Sequence, residues 1–420
     1  MTPRRQKSEG RSQKEREGFA GIRGYRPIWG EASALPRRPD GLRHAMTIRS
    51  LLVAVVACLW LPVAGVAGAA DVPLIDAVRG QDQAAVRELL ERGVDVNMQE
   101  GDGATALHWA VHLNDAESVT LLLEAGAVVD AVNDLGVAPL LIAATNGNAG
   151  IATVLLEAGA DPNGGPPDRE RPLMRAAWVG GIAVVTALLE AGADPNAVES
   201  ARHQTALMWA VSERHPAVVR ALVEGGADVH AATVSHLTGR RAQRDVTGYT
   251  ALLFAARVGD LDSARILLDG GANPNDTASD RLSALGLATV RGFADVAMLL
   301  LERGADPNTG EAGYTPLHWA AGSWETTLTT TDFRADREGN DEWNQLPGLT
   351  AGKSDLVAAL LAHGADPNAR LERPPTRAGA SRNPGLPELV GATPYLLAAS
   401  AGDAAVMRML VDAGADPLLT

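Results

Sequence analysis

The chain has 420 residues, one cysteine, 4% aromatic residues and a formal net charge of −14. A single cysteine excludes a disulfide scaffold and a multi-cysteine zinc protein, and the acidic balance excludes a basic nucleic-acid binder. Length alone predicts two or three globular domains, an expectation that holds only without internal repetition.

Residues 1–45 carry 11 basic side chains against five acids and show no hydrophobic period. They read as a basic leader, either untranslated with Met46 as the true start or a disordered extension. Residues 46–70 follow the order of a secretory signal: Arg49, an apolar run from Leu51 to Val66, then Ala67-Gly68-Ala69-Ala70. The run, interrupted by Pro62 and Gly65, is shorter than the roughly 20 residues of a permanent membrane span. Cleavage after Ala69 or Ala70 is expected, which makes the mature protein periplasmic or secreted. Cys58 stands in a weak lipidation-box context, but Leu59, Trp60 and Leu61 continue the apolar core where a polar spacer belongs. Cleavage removes the cysteine and with it thiolate chemistry and cysteine metal sites.

From Asp71 onward 25 basic residues stand against 46 acids, and Lys353 is the only lysine. That charge disfavours nucleic acid and anionic lipid as partners. A leucine-rich stretch followed by Gly-Ala-Asp-Pro-Asn, or a variant, recurs with its glycine at Gly93, Gly126, Gly159, Gly192, Gly226, Gly271, Gly304, Gly364 and Gly414. The intervals are 33, 33, 33, 34, 45, 33, 60 and 50 residues. A 33-residue period with three lengthened intervals predicts about nine stacked helix-turn-helix units carrying three insertions, near 234–247, 322–351 and 370–390.

A second motif precedes each first helix: Thr105-Ala106-Leu107-His108, Thr205-Ala206-Leu207-Met208, Thr250-Ala251-Leu252-Leu253, Thr315-Pro316-Leu317-His318 and Thr393-Pro394-Tyr395-Leu396. Threonine caps the helix, proline suits its first turn, and pairs such as Ala143-Ala144, Ala176-Ala177 and Ala320-Ala321 permit close packing. The second helix shows its period in Val119–Leu123 and Val296–Leu300, and the turn glycine ends it in a left-handed conformation. Asp-Pro-Asn then starts a turn.

These two motifs at fixed separation resemble the ankyrin repeat family over residues 72–418, within a domain spanning 71–420; with the signal, the chain looks like an exported bacterial member. The resemblance implies an all-α solenoid with finger-like turns, a concave surface of fingers and inner helices, and a protein partner held there. It also makes His108 and His318 the motif histidines that bond backbone and fix the turn.

Stacked units need protected ends. Asp76, Arg79, Gln81, Asp82 and Gln83 read as a polar first unit. At the other end Val406, Met407, Met409, Leu410 and Val411 look internal, which predicts an open apolar face. Either the sequence is incomplete there or the open C-terminal repeat is itself a contact surface.

Chemistry is weakly signalled. His108 and His112 share a helix face without a third ligand, so no metal is expected. Gly352-Lys353-Ser354 lacks the earlier glycine of a phosphate loop, having Pro347 in its place. The recurring Asp161, Asp194, Asp306 and Asp366 repeat in register, which marks a structural role. No nucleophile elbow or His-Glu-x-x-His occurs, so neither catalysis nor a cofactor is expected.

Two alternatives remain open. The acidic 322–351 insertion, with Asp332, Asp336, Glu338, Asp341 and Glu342 beside Trp324, Phe333 and Trp343, would serve an enzyme or metal-binding protein, although Gly339 comes too early for a calcium loop. A membrane-anchored structural tether would use Cys58 or an uncleaved apolar segment.

The freest inner-helix positions follow each Ala-Ala pair: His112-Leu113, Thr145-Asn146, Trp178-Val179, Ser212-Glu213, Arg257-Val258 and Val290-Arg291. Trp178, a large ring where packing demands none, is the leading hot-spot candidate. Trp109, Trp209, Phe254 and Trp319 share one register and read as stacking filler. Tyr249 and Tyr314, just before the capping threonines, are expected exposed at fingertips. The other insertions carry basic residues (His236, Arg240, Arg241 and Arg244; Arg370, Arg373, Arg377 and Arg382) suited to an acidic partner. The binding set is therefore Trp178, Val179, His112, Leu113, Tyr249, Arg257, Tyr314 and Arg291, for a protein partner, with no nucleic acid and no membrane after signal cleavage.

Overall fold

A computed structural model describes residues 73–165, 170–234, 247–279, 281–310, 314–322, 352–372 and 390–419. The leader, the signal with Cys58, and most of the three insertions, including the acidic cluster, lie outside the described residues.

The described residues form helices in pairs. The first five are α1 (Pro73–Arg79) with α2 (Gln83–Glu91), α3 (Ala106–His112) with α4 (Ala116–Glu124), α5 (Pro139–Asn146) with α6 (Ala149–Glu157), α7 (Pro172–Val179) with α8 (Ile182–Glu190), and α9 (Ala206–Ser212) with α10 (Pro216–Glu224). Then come α11 (Ala251–Val258) with α12 (Leu261–Asp269), α13 (Ala284–Arg291) with α14 (Ala294–Glu302), α15 (Pro316–Ala321) with α16 (Lys353–Ala362), and α17 (Pro394–Ser400) with α18 (Ala404–Asp412). Odd-numbered helices pack on their odd neighbours and even-numbered on even, so an inner and an outer layer run through all the described pairs. The stacking continues across each lengthened interval, and α16 starts at Lys353 directly after Gly352, where the phosphate-loop likeness lies. No strand occurs among the described residues; the fingers are marked only by isolated antiparallel bridges such as Gln99–Thr105 and Thr277–Ser283.

Local chemistry explains the boundaries. Thr205, Ser283 and Thr393 cap inner helices by accepting N–H bonds from Met208, Gly286 and Leu396. Outer helices begin at a second cap the sequence analysis did not separate: Asp82, Asp115, Asn148, Asp260 and Asp403 accept from the N–H three residues on. Each such cap contributes about 1 kcal/mol. All nine turn glycines are left-handed, with φ from 76° at Gly93 to 94° at Gly414.

The residue after Asp-Pro, usually asparagine, ties successive units together. Asn163 donates to the Gly192 carbonyl at 3.1 Å and accepts the Asp194 N–H at 2.7 Å. Asn308 repeats this across the longest interval, with Gly364 at 2.9 Å and Asp366 at 2.8 Å. The neighbouring aspartates, as the register implied, are structural: Asp161, Asp194, Asp306 and Asp366 each accept the N–H two residues on.

The core is one continuous cluster running between the layers, built from Leu107, Leu140, Leu173, Leu207, Leu252, Leu285 and Leu317 of the inner helices and Leu122, Leu155, Leu188, Leu222, Leu267, Leu300 and Leu360 of the outer. Its ends differ. In the first pair, polar residues face the next unit as well as solvent: Gln83 donates to the Asp115 carboxylate at 2.7 and 2.8 Å, and Arg79 pairs with Glu100 at 2.5 Å while lying 4.0 Å over the Trp109 ring. In the last described pair Leu396 is 40% exposed, whereas Met208 and Leu253 at the same register are 1% and 0% exposed. The expectation for the rest of that unit is met only in part: Val411 and Leu418 are exposed and Met407 and Met409 partly so, whereas Val406 and Leu410 are buried in the core, because they face the inner helix of their own pair and the preceding outer helix.

Candidate binding surface

Each inner helix begins under its finger and ends at the turn to the outer helix, so two kinds of position are available to a partner. The first is the finger residue just before the helix cap. Here the expectation for Tyr249 and Tyr314 is corrected, because both are buried, at 5% and 3% exposure. The residue before the cap folds back over the first turn of its own helix and covers the side chain five positions on. Tyr249 lies 5.5 Å from Phe254 and Tyr314 lies 5.0 Å from Trp319 between ring centroids. The same spacing gives the Glu170–Arg175 ion pair at 3.3 Å and the bond from the Trp209 indole N–H to Gln204 Oε1 at 3.2 Å. Arg175 thus takes a place in the register of Trp109, Trp209, Phe254 and Trp319, all buried as stacking filler. Burial pushes the Tyr314 phenol up to about 12.

Arg257 is also corrected: it is buried at 4% exposure, its guanidinium 6.0 Å from the Tyr249 ring. Its side chain runs back toward its own finger, where the tyrosine has folded in.

The second kind of position, at the inner-helix ends, is open. Val179 is 42% exposed, and Ile182 is exposed close by at the start of α8. His112, Leu113 and Arg291 are partly exposed. Trp178 is half-buried with its ring edge-on to Trp209 at 5.4 Å, so packing takes part of the side chain expected to be free. Its carbonyl accepts from His215 Nε2 at 3.1 Å, and the His215 ring covers Gly180 so closely that an added Cβ would lie 2.6 Å from it. His112 packs edge-on to Trp109 at 5.9 Å. Burial holds its imidazole below the ordinary histidine range.

The motif histidines are joints between units. His108 Nδ1 accepts from the Thr105 N–H at 3.2 Å, so the ring proton sits on Nε2, which donates to the Val137 carbonyl of the next finger at 3.0 Å. His318 does the same with Thr315 and, 3.1 and 3.3 Å away, the carbonyls of Ala369 and Ala392. Burial lowers both imidazoles, that of His318 to about 4. Lys353 is likewise structural: its ammonium bonds the Ala321 carbonyl at 3.3 Å and pairs with Asp403 at 3.1 Å. Backbone N–H bonds, then Lys353, hold the Asp403 carboxyl below its usual range. No group of three metal-ligating side chains and no helix long and apolar enough to cross a membrane is found among the described residues.

Compared with known proteins, residues 74–166 and 173–278 match the family model described as ankyrin repeats (3 copies), and residues 390–420 match the single ankyrin repeat model. A solved structure, that of the human ASB11 ankyrin repeat domain, is 28% identical, covering 56% of this chain and 99% of that one with a TM-score of 0.47. No curated protein matches the chain.

Proposed function

The chain belongs to the ankyrin-repeat family, and on that premise we propose that it is an exported scaffold that holds a protein partner on its concave side and catalyses nothing itself. Ankyrin repeats generally mediate protein–protein interaction, which supports the coarse reading. The observation that carries the finer one is the exposure of Val179 at 42% beside the half-buried Trp178 on the inner layer. A tryptophan only half covered by its neighbour, with exposed apolar side chains around it, has the composition of an interface centre, in which an aromatic anchor sits among apolar contacts.

Capture of partners from a periplasmic extract tests this. Val179→Asp, which alters an exposed side chain, should abolish capture while leaving circular dichroism and the thermal midpoint unchanged. Undiminished capture would move the partner off this surface.

Export rests on the signal-like order of residues 46–70. Mass spectrometry of the exported protein should find an N-terminus at Ala70 or Asp71 and no lipid on the chain. A soluble protein retaining residues 1–69 would overturn this part of the reading.

A further inference from the structure

We propose that the uncharged surface of the third and fourth helix pairs, centred on Trp178, Val179 and Ile182, receives the apolar face of an amphipathic helix of the protein partner, with a lysine or arginine of that helix reaching Glu157 or Glu190. This rests on the reading that Trp178 and Val179 lie in the partner interface, and it specifies what the partner brings to them.

The first observation is an absence of charge. The chain is 21% charged, yet no charged side chain occurs from Leu135 through Leu156, and none from Ala176 through Leu189. These stretches cover α5, the end of α7, and α6 and α8 up to their last residues. Every other described pair carries charge between the last turn of its inner helix and the first turn of its outer one. Glu117, Asp262, Asp295 and Asp355 stand exposed at one register there, where pairs three to five have Gly150, Ala183 and Ala217. The omission costs local stability, because an acid in the first turn complements the helix dipole. Pair four gives up its cap as well: Gly181 stands where Asp115, Asn148 and Asp260 cap other outer helices. A local rule broken without a gain in packing directs attention to the surface that results.

The second observation is what this surface exposes. Val179 and Ile182 are 42% and 41% exposed, and Ala183 and Thr186 continue the open stripe along α8. The indole N–H of the half-buried Trp178 has no acceptor among the described residues, whereas those of Trp109 and Trp209 donate to Glu100 and Gln204. On the side of pair five the polar groups are engaged. Arg214 donates to the Val258 carbonyl and His215 to the Trp178 carbonyl, while Glu213 is half-buried, where burial favours its neutral form.

Charge returns at one border and selects the occupant. Glu157 and Glu190 close α6 and α8, both exposed and in no ion pair among the described residues. Glu190 follows Ala183 and Thr186 on the exposed stripe, about 12 Å beyond Ile182 at the helical rise, which is the length of two helical turns. A partner helix with aliphatic side chains along those turns and a cation past them complements both parts. An extended segment would need a strand edge to pair with, and no strand occurs among the described residues. Anionic lipid is repelled by the acidic body.

The test uses the full chain and a labelled helical peptide of about 14 residues, with leucine at i, i+3, i+4 and i+7 and two lysines in its last turn, followed by fluorescence anisotropy. It should bind at least about tenfold more tightly than a counterpart with serine for leucine. Ile182→Asp should lose about tenfold without loss of helicity, since an acid in the first turn suits α8. Leu418→Asp, on the apolar face of the last pair, should lose nothing. Glutamine for the peptide lysines, or Glu157→Gln/Glu190→Gln in the protein, should each lose about threefold, and the two together no more than either alone. Salt at about 1 M should remove that threefold and leave the rest. Equal binding of the leucine and serine peptides, equal losses with Ile182→Asp and Leu418→Asp, binding abolished by salt, or binding to phosphatidylcholine vesicles that Ile182→Asp abolishes would overturn the proposal. In the capture experiment, loss with Val179→Asp together with loss of wild-type capture at about 1 M salt would leave the scaffold reading standing and remove this one. Capture retained by Val179→Asp would remove the reading on which this one rests.

Discussion

Replacing Leu188 with alanine is expected to destabilise the array by about 2 to 5 kcal/mol and to separate its two halves. Leu188 lies in α8 with 0% exposure, in the outer layer between α6 and α10. Removing its branched end leaves a cavity that flanking helices fill only in part, because each is held by its own inner partner. Stability in a stacked array is the sum of unit and nearest-neighbour contributions, so a weakened central interface turns one cooperative transition into two. Urea unfolding followed by tryptophan fluorescence reads this, since Trp109 and Trp178 report on the first pairs and Trp209 and Trp319 on the later ones. A single unchanged transition, or a loss confined to α17 and α18 in hydrogen exchange, would contradict the stacking order.

Acid is expected to loosen the joint at His318 by about 3 kcal/mol between pH 6.5 and pH 4. Burial lowers this imidazole from 6.5 to about 4, so the folded ring stays neutral while the unfolded one takes up a proton. Its contribution is complete above pH 6.5, is lost progressively as pH falls toward 4, and changes no further below. The geometry gives the reason: Nδ1 must accept from the Thr315 N–H, and a proton placed there breaks that bond. His108 moves in the same direction for the same reason. Asp403, lowered from 3.8, acts in the lower window, where protonation of its carboxylate removes stability. Unfolding free energies of the wild type and His318→Gln at pH 7.5 and pH 4 isolate the effect. The variant should be less stable at pH 7.5, and the difference should shrink by about 3 kcal/mol at pH 4. A difference independent of pH would show that the ring does not carry this dependence.

Much of the fold was legible from residue type and spacing. The nine glycines predicted left-handed turns because only a residue without Cβ adopts that conformation cheaply, and all nine do. The resemblance to ankyrin repeats implied that His108 and His318 bond backbone, and the structure adds which carbonyls they reach in the following unit. The outer-helix caps were equally present as Asp82, Asp115, Asn148, Asp260 and Asp403, but Gly181, His215 and Phe293 stand at the same register in other pairs and hide the pattern.

The binding surface was less legible, because exposure belongs to neighbours. By itself the sequence determined the repeat, its period, its turn and cap chemistry, and the apolar last unit, since each depends on a few adjacent residues and local backbone preference. Only the tertiary structure decided that Tyr249, Tyr314 and Arg257 are buried and Val179 open. A finger residue covers the side chain five positions later only after the chain has turned into the helix, and Trp178 meets Trp209 across a spacing of 31 residues. Local sequence specifies where a side chain starts; which side chains come to cover it depends on how successive units stack.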